Sequence, residues 1–262
     1  MPLRAILVDL DDTLLVEKKS ADEAFLAAAR YLAERYAGID AEDFAETARQ
    51  TARRVWGEMP SKPYCREIGI SSREGLWAEF SDLNPHQSML KSLKEQYRLT
   101  AWGNSLMEYG IDDPVLAGEL SRVFIAERRD RHVLFPDSVP FLEDVRGMYR
   151  LALVTNGTPD VQRRKIDGSG LAGYFDHIVV SGEVGYAKPH AAIFSSALDM
   201  LGMQKDEAVM IGDMLKTDIL GANKSGITSI YVNRDGNIND TGISPVMEFS
   251  GLQDIPAVLL EY

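Results

Sequence analysis

Five short strand-like runs constrain the fold of this chain more than any other feature: Ala5–Val8, Leu151–Thr155, His177–Ser181, Ala208–Gly212 and Thr228–Val232. Each is four or five residues long, and Ala5–Val8 is a continuous apolar run bounded by charge. That first run has the pattern of a strand covered on both faces. Helical stretches accompany the last four, at about 138–149, 158–167, 189–202 and 216–225. Strands alternating with helices of this length imply right-handed crossovers and a parallel sheet. Ala5–Val8 belongs with the others by type, so the expected fold class is α/β.

Residues 17–134, between the first two runs, have a different character. Ser20-Ala-Asp-Glu23 reads as a capping box ahead of an Ala-rich apolar stripe that stops at Gly38. A second helix is expected from Asp40 to Trp56, and Gly57–Ile70, broken by Pro60 and Pro63, reads as a loop. Ser71-Ser-Arg-Glu74 repeats the capping-box pattern. Asn84-Pro85 and Asp113-Pro114 each place a cap residue before a proline, opening helices to about Tyr109 and Arg129. The spacing therefore predicts an α/β domain over 1–16 and 135–262, interrupted by an all-helical domain over 17–134. Trp56, Trp77 and Trp102 fall at apolar helix positions and are expected in the core of that insertion.

Charge narrows the choice of partners. Forty acidic residues against 28 basic ones give a net charge of −12, which argues against nucleic acid and anionic membranes as partners. A small anionic substrate stays open, because one local cation or metal can reverse the field in a pocket. The single cysteine, Cys65, excludes an internal disulfide framework and any Cys-based zinc cluster. The first apolar run is too short for a secretory signal, and no window approaches the length of a membrane span. A soluble, cytoplasmic protein is expected, monomeric or homodimeric.

Ligands of open parallel sheets bind beyond the carboxyl ends of the strands, and here those ends are polar. The first run ends in Val8-Asp9-Leu10-Asp11-Asp12-Thr13 and the second in Thr155-Asn156-Gly157. The fourth ends in Gly212-Asp213, with Asp218 close behind, and Tyr186-Ala187-Lys188-Pro189 precedes the helix after the third. Carboxylates gathered on one sheet edge need a cation, and Lys188 alone supplies too little charge. An oxygen-only set of a few carboxylates, completed by waters and a substrate phosphate, is the usual Mg²⁺ arrangement.

Together these segments resemble the haloacid dehalogenase (HAD) superfamily, whose four motifs occur here in order as DLDDT, LVTNG, AKP and GDMLKTD. The resemblance implies a Rossmann-like, three-layer core. It likens the insertion to the C1 cap of subfamily I, which includes phosphoglycolate phosphatase, acylneuraminate phosphatase and β-phosphoglucomutase. The implied activity is Mg²⁺-dependent hydrolysis of a small phosphorylated metabolite through an aspartyl-phosphate. The resemblance makes Asp9 the nucleophile and Asp11 the general acid and base. It gives the phosphoryl oxygens to Thr155, to the backbone N–H groups of Leu10 and Asn156, and to Lys188. The metal falls to Asp9, Asp11 through its backbone carbonyl, Asp213 and Asp218, with Asp218 orienting metal waters or pairing with Lys188. The insertion would close over the sheet edge and read the leaving group.

Alternatives separate on particular residues. A dehalogenase attacks carbon and needs neither a metal nor a carboxylate at position 11. A phosphonatase would use a lysine of the insertion. A phosphomutase uses the same residues but releases no net phosphate, and a non-catalytic relative would be expected to lack one of the four motif residues. Asp12 and Thr13 are expected to shape the turn, and His190 to start a helix. Lys18-Lys19 and Arg128–His132 are expected to be solvated faces or, near the crossings between domains, contacts for an anionic substrate.

Overall fold

The computed structural model describes residues 2–80 and 84–261. Its sheet contains β1 (Ala5–Val8), β2 (Arg150–Thr155), β3 (His177–Val180), β4 (Ala208–Gly212), β5 (Thr228–Val232) and β6 (Met247–Phe249). All neighbours are parallel, in the order β3-β2-β1-β4-β5-β6. The central strand β1 has Val8 level with Leu153 on one side and Ile211 on the other. Strand order reverses there, which makes the crevice beyond Val8 the natural ligand site of a doubly wound sheet.

Strand side chains alternate between faces, and two cores result. Ile6, Val8, Leu151, Leu153, Val209, Ile211 and Ile230 pack on one face with Phe141 and Leu142 of α7 (Ser138–Val145). Ala5, Leu7, Ala152, Val154 and Met210 pack on the other with Ile193, Phe194 and Ala197 of α10 (Ala191–Leu201). This is the expected α/β fold with helices on both faces.

The chain gathers into two compact units. One comprises Met1–Val16, Val133–Asn156 and Ile166–Tyr262, and the other Glu17–His132 and Gly157–Lys165. The second is built on α1 (Glu17–Ala33), α2 (Ala41–Glu58), α5 (Pro85–Met107) and α6 (Pro114–Asp130). Asp40, Asn84 and Asp113 cap the last three through side-chain oxygens, the latter two as their positions before a proline predict. Trp56, Trp77 and Trp102 are buried in this unit's core. Trp56 packs on Tyr97 with ring centroids 4.8 Å apart.

Several elements differ from the sequence reading. α1 starts at Glu17, ahead of the predicted cap Ser20, whose hydroxyl accepts from Arg128 at 2.6 Å. The span read as a loop holds a short helix, α3 (Lys62–Glu67), because Pro63 sits at a helix start, where its missing N–H costs nothing. Ser71 does cap α4 (Ser72–Gly75), but the Glu74 carboxylate turns to the N–H and hydroxyl of Thr158. β3 ends at Val180, and Ser181 opens α9 (Ser181–Val184). β6 was not expected from the sequence, since three residues carry too little alternation to register.

Candidate active site

Asp9 continues the β1 ladder by one residue, its N–H donating to the Ile211 carbonyl at 2.9 Å. The ladder fixes its backbone and leaves the side chain at the sheet edge, only 6% exposed. Lys188 meets it there, with Nζ 2.5 Å from Asp9 Oδ1, 2.6 Å from Asp218 Oδ1 and 2.7 Å from the Val154 carbonyl. A buried ammonium with three oxygen partners is compensated rather than costly.

The segment carrying Lys188 is itself held from β2. The Asn156 amide accepts from the Lys188 N–H at 2.8 Å and donates to the Lys188 carbonyl at 3.1 Å. Sequence reasoning assigned Asn156 through its backbone alone and missed this clamp. The signal was available: an amide at a strand end presents a donor and an acceptor, enough to satisfy both backbone groups of one facing residue.

Asp218 is brought back to the sheet edge by a π-type turn over Leu215–Ile219, leading into α11 (Leu220–Ser225). Such widened turns recur at functional sites. Its Oδ2 accepts the Met214 N–H at 3.0 Å. Gly212 makes room, since a Cβ there would lie 2.5 Å from Asp218 Cγ. Thr13 closes the other side, its hydroxyl 3.2 Å from Asp9 Oδ2 and 3.2 Å from Asp213 Oδ1. Expected only to shape the turn, Thr13 also links two strand ends.

Burial, opposed by Lys188 and reinforced by Asp218, raises the Asp9 carboxyl to about 6. Burial and the like charges of Asp9, Asp218 and Asp12 raise Asp213 well above the usual carboxylate range. Burial acts against the Lys188 ammonium, but Asp218 and Asp9 more than reverse it and hold it above an ordinary lysine. Asp9, Asp213 and Asp218 each offer an oxygen within 4.8 Å of the others. Three carboxylates against one ammonium leave an excess of negative charge in a hard-oxygen cradle. The donor set suits a divalent cation of the Mg²⁺ type.

Thr155 is buried as the last residue of β2, and Leu10 is fully buried directly after Asp9. Asp11 is half-buried two residues on and stands outside the three-carboxylate cluster. His190 caps α10, its Nδ1 accepting the Ala192 N–H, and stacks on Tyr186 with centroids 4.4 Å apart. In the helical unit Arg128 is not a solvated face. It is buried and grips both Glu17 oxygens at 2.7 Å.

The fold and this site define a class, a doubly wound α/β enzyme with its polar centre where the strand order reverses. The chain belongs to the haloacid dehalogenase-like hydrolase family, which it matches over residues 3–226. It is 35% identical to the phosphoserine phosphatase of Thermus thermophilus over 97% of this chain and 98% of the relative. It is 27% identical to the N-acylneuraminate-9-phosphatase of Mus musculus over 98% and 94%. Among solved structures, the magnesium-bound HAD-hydrolase YfnB of Bacillus subtilis superposes with a TM-score of 0.68 at 22% identity, covering 99% of both chains. A 2-haloacid dehalogenase from Pseudomonas syringae pv. tomato does so with 0.62 at 26%, again over 99% of both.

Proposed function

We propose that this protein is a Mg²⁺-dependent phosphatase that hydrolyses a small phosphomonoester through an aspartyl-phosphate on Asp9. The observation that carries the reading is the buried Asp9 carboxylate, held by Lys188 on one oxygen and by Thr13 on the other. A carboxylate fixed in this way is oriented for in-line attack on phosphorus, and covalent capture splits one hard displacement into two. Lys188 offsets charge on the phosphoryl oxygens, with Thr155 and the N–H groups of Leu10 and Asn156 as further donors. Asp11 protonates the leaving oxygen and then takes a proton from the attacking water. Asp9, Asp213, Asp218 and the Asp11 carbonyl would hold the metal. When bound, it neutralises the carboxylate cluster and polarises the phosphoryl group.

Dehalogenation is the second reading, since a dehalogenase is among the fold neighbours. Asp11 and the acidic cluster disfavour it, because attack on carbon uses neither. The two full-length relatives described above carry phosphatase names. A panel of phosphorylated metabolites including phosphoserine and N-acylneuraminate 9-phosphate, assayed for released phosphate beside 2-haloacids, decides the matter. Net phosphate release that needs Mg²⁺ supports the reading. Halide release without phosphate release contradicts it, and phosphoryl transfer without net phosphate would make the protein a mutase.

A further inference from the structure

The turn that carries Asp11, Asp12 and Thr13 does not hold its shape unaided. Asp12 sits at φ 60°, in the left-handed region that residues with a Cβ seldom adopt. Strain of this kind persists where surrounding structure over-determines it. Local hydrogen bonds from Leu14 and Leu15 N–H to the Leu10 carbonyl, both 2.9 Å, close the turn from below. A second restraint comes from far along the chain, beyond β5. Arg234 Nη2 donates to the Thr13 carbonyl at 2.7 Å.

Arg234 is itself fixed on three sides. Asp137 receives its fork, with Nη1 to Oδ2 at 3.0 Å and Nη2 to Oδ1 at 2.9 Å. The guanidinium lies over the Phe135 ring, Cζ 3.8 Å from the centroid. Asp137 is pinned in turn by the Leu252 N–H at 2.8 Å. Only a planar guanidinium can fill this place, bidentate on a carboxylate, stacked on a ring and still donating to a carbonyl. What it holds is the residue whose hydroxyl reaches both Asp9 and Asp213.

We infer that Arg234, clamped by Asp137, is a positioning residue for the reaction: it fixes Thr13, and through Thr13 the Asp9 and Asp213 carboxylates. Arg234 touches neither substrate nor metal in this scheme and acts through the turn alone. The inference rests on Asp9 being the nucleophile. Loosening the tether lets Asp9 and Asp213 drift, and small misplacements of reacting groups cost up to about 10²-fold in rate.

The test is Arg234→Ala, assayed for kcat and KM with p-nitrophenyl phosphate and for Mn²⁺ affinity by calorimetry without substrate. The expected result is a kcat about 10- to 100-fold lower, KM little changed and Mn²⁺ bound more weakly. Millimolar guanidinium ion should restore kcat in Arg234→Ala and not in Asp9→Asn. Asp137→Asn should show the same defect, and combining it with Arg234→Ala should add little. If Arg234→Ala folds poorly, Arg234→Lys keeps a stem over Phe135, loses the fork and is read in the same way. A folded Arg234 variant with wild-type kcat overturns the inference. So does a loss of rate with unchanged Mn²⁺ affinity and no guanidinium rescue. A wild-type chain that releases no phosphate from any substrate overturns the Asp9 reading and this inference with it, whereas an active wild type matched by its Arg234 variants overturns this inference alone.

Discussion

On the proposed reading Asp9 has to be two things, a carboxylate buried enough to be dry and ionised enough to attack. Lys188 reconciles them at 2.5 Å, and substitutions should read out each half. Asp9→Asn keeps the shape but removes the attacking oxygen, and turnover should vanish while the melting temperature stays close to wild type or rises as buried charge is relieved. Asp11→Asn should lose about 10²–10⁴-fold in kcat, the usual cost of missing acid–base help. Steady-state kinetics on both variants check these outcomes. Protons and cations also compete for the same oxygens. Asp9 is raised to about 6 and Asp213 is raised as well, so without metal both take up protons before an ordinary carboxylate would. Divalent-metal affinity, followed by calorimetry, should therefore weaken progressively as pH falls through about 6. Affinity that stays constant between pH 7 and 5 would remove these carboxylates from the metal site.

At the scale of elements, the helical unit is tied by a buried ionic cluster at the start of α1. Glu17 accepts from Arg128 at 2.7 Å and faces Lys165 at 3.2 Å. Burial pushes the Glu17 carboxyl up, but Lys165 and Arg128 outweigh it and hold it below its ordinary value of 4.5. A lowered folded-state value means that its contribution to stability is present above about pH 4.5 and lost as pH falls through that lowered value. Glu17→Gln removes the carboxylate charge that faces two buried cations and should cost about 3–5 kcal/mol at neutral pH. Chemical denaturation measures the loss, which should narrow in acid. This cluster also shows why part of the fold escaped the sequence. Ser20 and Glu23 have the spacing of a capping box, yet long-range pairing of Glu17 and Ser20 with Arg128 extends the helix past it. Glu74 likewise leaves its predicted box for Thr158. Local pattern identified β1 to β5 and the Asn84 and Asp113 caps, because burial on both faces and N-cap chemistry are written within a few residues. Asp9, Asp213 and Asp218, expected beyond strand ends, and Lys188, expected ahead of a helix, do come together in the structure. An amide at a strand end marks Asn156 as a clamp without naming its partner 32 residues away, and the Arg234 tether, which spans 221 residues, is written in no local pattern.

For the whole molecule, the net charge of −12 sets what reaches the site. Polyanions are repelled at long range, while a small dianion needs only a local cation. Chelation should abolish phosphatase activity and Mg²⁺ should restore it. Comparison of kcat/KM across metabolites, phosphopeptides and a 5′-phosphorylated oligonucleotide should favour the metabolites clearly. Among the described residues no helix is long and apolar enough to cross a membrane.

In the proposed reaction Asp9 carries the phosphoryl group, and rapid acid quench of the working enzyme tests that most directly. Enzyme mixed with Mg²⁺ and a turned-over phosphomonoester, quenched within one turnover and mapped by peptide mass spectrometry, should carry one phosphoryl group on Asp9. Borohydride trapping of the acyl phosphate should mark the same residue. Label on a different residue, or full phosphate release by Asp9→Asn, would contradict it.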